Sequence, residues 1–150
     1  METDELLQVL RKCFGDTFHG VFARDEFHNY DLQQQAHHRP AAFVVNTDDR
    51  SRPGEHWVAY YVTRDGTVEC FDSFGNDPRV YGLPRAHKFN RVPVQALTSM
   101  HCGLFATYYL LARVRAKLPM HKIVSQFHTA PTLRLRNDCL VAQYISSMLH

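Results

Sequence analysis

The chain has 150 residues, 45% of them apolar and 21% charged, with a formal net charge of +2. These are the proportions of one globular domain able to bury a core, and they exclude a polycationic tail, a fibre and a disordered linker. No apolar run approaches the ~20 residues of a membrane span, and the acidic start Met1-Glu2-Thr3-Asp4-Glu5 lacks the apolar core of a secretion signal, so an intracellular protein with no membrane attachment is expected.

Residues 2–14 place Leu6, Leu7, Val9, Leu10 and Phe14 at helical spacing, with Thr3 or Asp4 as N-cap and Gly15 as the stop. Residues 16–40 read as loop and short strand. The run AAFVVN, Ala41–Asn46, reads as a buried strand, and 47–54 as a polar turn carrying Pro53-Gly54. Residues 56–63 (HWVAYYVT) and 68–74 (VECFDSF) flank Asp65-Gly66 and give a hairpin signal. Both faces of each strand are largely apolar, which puts the hairpin in the middle of a sheet. Residues 75–92, with Pro78, Gly82 and Pro84, read as a surface connection, and 92–97 as a short strand. Residues 99–117 form a helix stopped by Pro119, its stripe of Leu104, Phe105, Tyr108, Leu111 and Ala112 facing the core. Residues 120–132 are loop-like. A last helix over 134–149 carries Val141, Tyr144, Ile145 and Met148 on one face. This order predicts a single α+β domain over 1–150, a small, mostly antiparallel central sheet flanked by helices.

The four cysteines, Cys13, Cys70, Cys102 and Cys139, include no CxxC pair, so neither a zinc knuckle nor a thioredoxin-like site is expected. Cys13, Cys70 and Cys139 read as core thiols. Of the ten histidines, His28, His37 and His38 cluster in sequence, but no carboxylate or cysteine stands at ligand spacing, and no metal site is expected there. Arg113, Arg115, Lys117, Arg134 and Arg136 read as a solvated basic face, with a phosphate-contacting patch as the sharper alternative.

Three polar residues sit where apolar ones belong. His56 opens a buried strand, Asp72 lies between Phe71 and Phe74, and Cys102 falls in the first turn of an apolar helix. With a three-residue loop 64–66 and Gly66 in the left-handed conformation, Thr63 faces Thr67 and Asp72 lies opposite Val58. His56 is then its diagonal neighbour on the same face, within reach of the carboxylate. A two-residue loop would put them on opposite faces. With Thr98 or Ser99 as cap, Cys102 meets free N–H groups and the positive end of the helix dipole, which favour thiolate. Gly103 allows close approach of a substrate backbone. Gln95, seven positions before Cys102, has an amide suited to a developing oxyanion.

The ordered set His56-Trp57, Asp72 in FDSFG, Gln95, and Cys102 in CGLFATYYL resembles the adenain family of cysteine proteases, the adenovirus maturation proteases, within the clan that includes the SUMO-deconjugating proteases. The segment Val45-Asn46-Thr47, a polar turn, then Gly54-Glu55-His56-Trp57-Val58-Ala59 looks like the family's approach to its histidine. The seven-position Gln-to-Cys gap, Phe18-His19-Gly20-Val21-Phe22 and Leu118-Pro119-Met120 are also similar.

The resemblance implies papain-like catalytic geometry with the chain order His-Asp-Gln-Cys. Cys102 is then the nucleophile, His56 the general base and Asp72 its orienter. Gln95 with the Cys102 N–H forms the oxyanion hole, and Trp57 packs beside the site as a substrate-binding residue, joined there by Gly103 on the ground of its small size. It implies a monomeric endopeptidase that cleaves viral or virus-like precursor proteins at Gly-containing sites during particle maturation, in the host nucleus and virion. No metal or organic cofactor is required, while an activating peptide and DNA are implied as partners.

Asp72 stands where the family has glutamate. No cysteine lies between Cys70 and Cys102, where the family's longer insert bonds its peptide, so a disulfide-linked activator is not expected. The alternative is a deconjugating protease acting on a ubiquitin-like modifier.

Overall fold

The computed structural model describes residues 3–28, 32, 39–49 and 56–149. In chain order it has α1 (Thr3–Phe14), β1 (Phe18–Phe22), α2 (Arg24–His28), β2 (Ala41–Asn46), β3 (Trp57–Val62), β4 (Val68–Phe71), β5 (Lys88–Phe89), α3 (Cys102–Val114), α4 (Met120–Ser125) and α5 (Leu135–Leu149). The strands form one sheet in the order β1-β2-β3-β4-β5. The two inner pairings are antiparallel and the two outer ones, β1 with β2 and β4 with β5, are parallel. The α+β class therefore holds, but the sheet is mixed rather than mostly antiparallel. Alternation of apolar residues fixes which faces are buried; it carries no information on strand direction, which the connections decide.

Both faces of the sheet are covered. Ala42, Val44, Ala59, Tyr61 and Phe71 pack under α1, α3 and α5. Phe43, Val45, Val58, Tyr60 and Cys70 pack under Phe27 of α2 and Leu83 and Ala86 of the β4–β5 connection. Each strand of the central hairpin is thus apolar on both sides, as its sequence requires. Helix α3 is buried along its length from Cys102 to Ala112, which explains its lack of a polar face.

Four segments depart from the sequence reading. Residues 16–40 hold the expected short strand, β1, but also the helix α2, and 120–132 include α4. The 92–97 segment is a bend, not a strand. The edge strand is Lys88–Phe89, whose two residues are too few to show periodicity. Helix α3 begins at Cys102, three residues later than read.

Among the thiols Cys70 is buried, Cys13 is half-buried and Cys139 is exposed, so Cys139 is not a core residue. The basic face divides. Arg113 is paired with buried Glu69 at 2.9 Å, and Arg134 donates to the Thr129 carbonyl. The pair His37-His38 lies outside the described residues. No helix among the described residues is long and apolar enough to cross a membrane.

Candidate active site

The hairpin adopts the register that brings His56 to Asp72. Tyr60 pairs with Cys70 and Val62 with Val68. The Thr63 N–H donates to the Thr67 carbonyl at 3.0 Å, and Gly66, at φ +89°, closes the three-residue loop. His56 immediately precedes β3 and Asp72 immediately follows β4, at one end of the sheet. There His56 Nε2 meets Asp72 Oδ1 at 2.6 Å, with both side chains buried.

Asp72 is completely buried, yet its carboxylate is well solvated by the protein. Oδ1 accepts from His56 and from the Phe74 N–H at 2.9 Å. Oδ2 accepts from the Tyr81 hydroxyl at 2.6 Å and the Asn76 N–H at 3.3 Å. Burial would raise its pKa, but His56 and these donors outweigh burial and hold it below the ordinary carboxylate range. The Asn90 carboxamide clamps the Asp72 backbone from both sides, accepting from its N–H at 2.9 Å and donating to its carbonyl at 2.5 Å. The FDSFG motif has a local reason as well. Gly75 turns back at φ +75°, its N–H on the Asp72 carbonyl at 2.8 Å, and a Cβ there would lie 2.7 Å from the Pro93 nitrogen.

Two aromatic rings contact His56: Phe74 stacks on it at 4.6 Å and Tyr81 tilts against it at 5.9 Å. With Nε2 committed to Asp72, the other nitrogen, Nδ1, is buried with no well-formed hydrogen bond. The Cys102 thiol stands close enough to the ring for each group to shift the other. Burial would lower the His56 pKa, but Asp72 and Cys102 push it up to about 9. Burial would raise the Cys102 thiol, but His56 and the N–H groups of Trp57 and Gly103 bring it below its usual range. Both directions favour a thiolate beside an imidazolium.

Cys102 is the first residue of α3. Its N-cap, His101, makes no side-chain cap bond. The later helix start follows from Ser99, whose hydroxyl is engaged by Gln95, His101 and Asp138, so that 96–99 closes a turn instead. Gln95 is buried. Its Oε1 accepts from the Ser73 hydroxyl, and its amide nitrogen donates to the Ser99 carbonyl at 3.0 Å and hydroxyl at 3.1 Å. Gly103 is buried beneath α1: a Cβ would sit 2.9 Å from Leu6 Cδ1 and 3.7 Å from Trp57 Cδ1, so α1 and α3 approach closely there. Trp57 is half-buried against the α1/α3 core.

The structure therefore gathers His56, Asp72, Cys102 and Trp57, with Gln95 turned toward the loop before Cys102. Sequence reasoning missed Tyr81, Asn90, Ser73 and Phe74. All four lie in or beside the stretch between hairpin and helix, where no periodicity marks which polar side chain turns inward. Among the described residues no group of three or more His, Cys, Asp or Glu is arranged to hold a metal ion.

No family model matches the chain. It is 32% identical over 92 residues to a cysteine protease of African swine fever virus, a match covering 47% of this chain and 33% of that protein. The chain thus spans about a third of the length of that relative. The central domain of an uncharacterized protein from Legionella pneumophila shares the fold, with a TM-score of 0.53 at 14% identity over 99% of this chain and 97% of that one.

Proposed function

We propose that the chain is a cysteine endopeptidase of the clan that includes the SUMO-deconjugating proteases. The observation that carries this reading is the buried His56–Asp72 pair against a thiol lowered by His56 and two backbone N–H groups. Its likeness to a viral cysteine protease supports the same class of chemistry, and supports the clan rather than adenain in particular.

The reaction has two stages. Thiolate Cys102 attacks the scissile carbonyl carbon and forms a C–S bond. The oxyanion is taken by the Cys102 N–H and Gln95. Collapse breaks the C–N bond, and His56 gives its proton to the leaving amine. Water then loses a proton to His56 and attacks the acyl group, the C–S bond breaks, and the thiolate–imidazolium pair returns. Asp72 stays ionised throughout and holds the ring so that Nδ1 faces sulfur. The substrate we propose is a viral or virus-like precursor protein, cleaved at Gly-containing sites during particle maturation.

Labelling with iodoacetamide across pH 5–9, followed by mapping of the modified cysteine, tests the chemistry. Selective modification of Cys102 below pH 7, lost in His56→Ala, is expected. Uniform slow labelling of all accessible cysteines that persists when DNA and candidate activating peptides are added would defeat the reading. Asp72, in place of the adenain glutamate, also suits a protease of ubiquitin-like conjugates. Cleavage of a ubiquitin-like fusion in preference to a short Gly-containing peptide would transfer the assignment to that substrate class.

A further inference from the structure

The loop 96–101 joins the candidate oxyanion donor to the nucleophile. Leu97 and Met100 on it are 88% and 91% exposed, so apolar packing does little to fix it. Side-chain bonds do so instead, and they converge on one residue of α5. The Ser73 hydroxyl occupies Gln95 Oε1, which aims the amide nitrogen at Ser99. The Ser99 hydroxyl accepts from that amide and from the His101 N–H at 3.2 Å, while its own hydrogen goes to Asp138 Oδ2 at 2.5 Å. The same Oδ2 accepts from His101 Nδ1 at 2.9 Å.

We infer that Asp138 is a positioning residue of the active site, which aims the Gln95 amide by fixing the Ser99 hydroxyl and the residue before Cys102. The inference rests on the reading of Gln95 as oxyanion donor. A carboxylate in the first turn of α5 also suits the helix dipole. That effect alone gives no reason for both of its hydrogen bonds to run to another segment's Ser99 and His101. Nor does it explain why Oδ1 is left buried with no partner among the described residues, an arrangement that costs stability.

A hydroxyl both donates and accepts, so its role is set by where its hydrogen is held. With that hydrogen on Asp138, Ser99 presents lone pairs to Gln95. Without Asp138 the hydroxyl rotates and the amide loses its aim. During attack the oxyanion outcompetes the neutral Ser99 hydroxyl for one amide hydrogen, because charge-assisted bonds are roughly twice as strong. The other hydrogen stays on the Ser99 carbonyl. Asp138 thus acts through Gln95 on the transition state, with no contact to substrate.

The test compares Asp138→Ala, Asp138→Asn and Ser99→Ala in the full chain, each alone and with Gln95→Ala. A Gly-containing peptide is the substrate, and Cys102 alkylation by iodoacetamide, which uses no oxyanion hole, is the control. The expected result is a fall in kcat of about tenfold, smaller than the roughly 10²–10³-fold cost of losing an oxyanion donor itself. KM stays within twofold, Cys102 alkylation is unchanged, and the effect vanishes in the Gln95→Ala background. An unchanged or raised kcat, an equal loss in the Gln95→Ala background, or a parallel loss of alkylation would overturn the inference. Ser99→Ala leaves α5 intact, so the same readings decide the matter should the Asp138 variants not fold. A parent chain that cleaves no peptide and shows no selective Cys102 labelling would instead remove the protease reading itself, before any Asp138 variant is made.

Discussion

The two halves of the candidate site are held by different means. His56 and Asp72 sit at the ends of adjacent antiparallel strands, and backbone register brings them together. Gln95 and Cys102 are joined by a loop with two exposed apolar side chains and are tied by Ser73, Ser99 and Asp138. The first half inherits its precision from a ladder that also builds the core. The second depends on side chains contributed by separate elements. Both halves need preorganisation: the imidazole needs a fixed partner, and the oxyanion donor must be aimed before charge develops.

The largest effects should come from breaking the first half. His56→Ala is expected to lower kcat/KM by about 10⁴-fold or more, with acid-side labelling of Cys102 lost. Steady-state kinetics within tenfold of the parent would dissolve the assignment. Asp72→Asn should cost about 10²–10⁴-fold in kcat. An asparagine also turns an NH₂ group toward donors that now meet carboxylate oxygen, so the denaturant midpoint should drop by an amount equal to about 1–3 kcal/mol.

This contrast also marks how far the sequence could be read. The His56–Asp72 meeting was legible because a hairpin loop fixes strand register, and Gly66 as third loop residue selected one register from two. Cys102 at a helix start was legible from the apolar run behind it. The helix boundary was not, because Ser99 is used by Gln95, His101 and Asp138 rather than as a cap. Asn90 and Tyr81 serve Asp72 from a connection whose path has no local signal. The parallel edge pairings were invisible for a related reason: alternation reports burial, and the burial of β1 and β5 is incomplete.

The turn that supports Asp72 can be broken without touching a catalytic candidate. Gly75→Ala places a Cβ 2.7 Å from the Pro93 nitrogen and 2.8 Å from the Val92 carbonyl carbon, at φ +75°. Backbone cannot yield as a side-chain tip can, so a loss of about 2–3 kcal/mol is expected by chemical denaturation. Gly66→Ala is the matched control. Its φ is +89°, but its nearest neighbour is the flexible Arg39 guanidinium at 2.6 Å, so the cost should stay near 1 kcal/mol. Equal losses at the two positions would mean that strain, not the packed turn beneath Asp72, sets the cost.

Stability should also depend on pH in two directions. The His56 pKa rises from 6.5 to about 9 on folding, so its contribution is complete below about pH 6.5 and disappears as pH climbs through 9. The Asp72 pKa falls, so its contribution is present above the ordinary carboxylate range and disappears as pH drops through its lowered folded value. The Cys102 pKa also falls on folding, so its contribution grows with pH and offsets much of the alkaline loss from His56; thermal melts from pH 3 to 10 should therefore show a clear acid limb and a shallow alkaline one. Because each group holds the other's pKa away from its ordinary value, His56→Ala and Asp72→Asn should each weaken both limbs. Limbs unchanged in both variants would assign the titrations elsewhere.

The smallest effect belongs to Tyr81→Phe. The hydroxyl gives Asp72 Oδ2 its shortest bond, 2.6 Å, and accepts from the Asn76 side chain at 2.9 Å. Its removal leaves the carboxylate three donors: His56, the Phe74 N–H and the Asn76 N–H. The ring stays tilted against His56, so orientation survives. The expected loss is about 1 kcal/mol of stability and less than about tenfold in kcat/KM. With one donor fewer the folded carboxylate holds its proton more readily, so the acid limb should move to higher pH. A shift would show that side chains beyond the strands also tune the His56 half. An unmoved limb would mean that the strand ends, the 72–76 turn and the Asn90 clamp suffice without the Tyr81 hydroxyl.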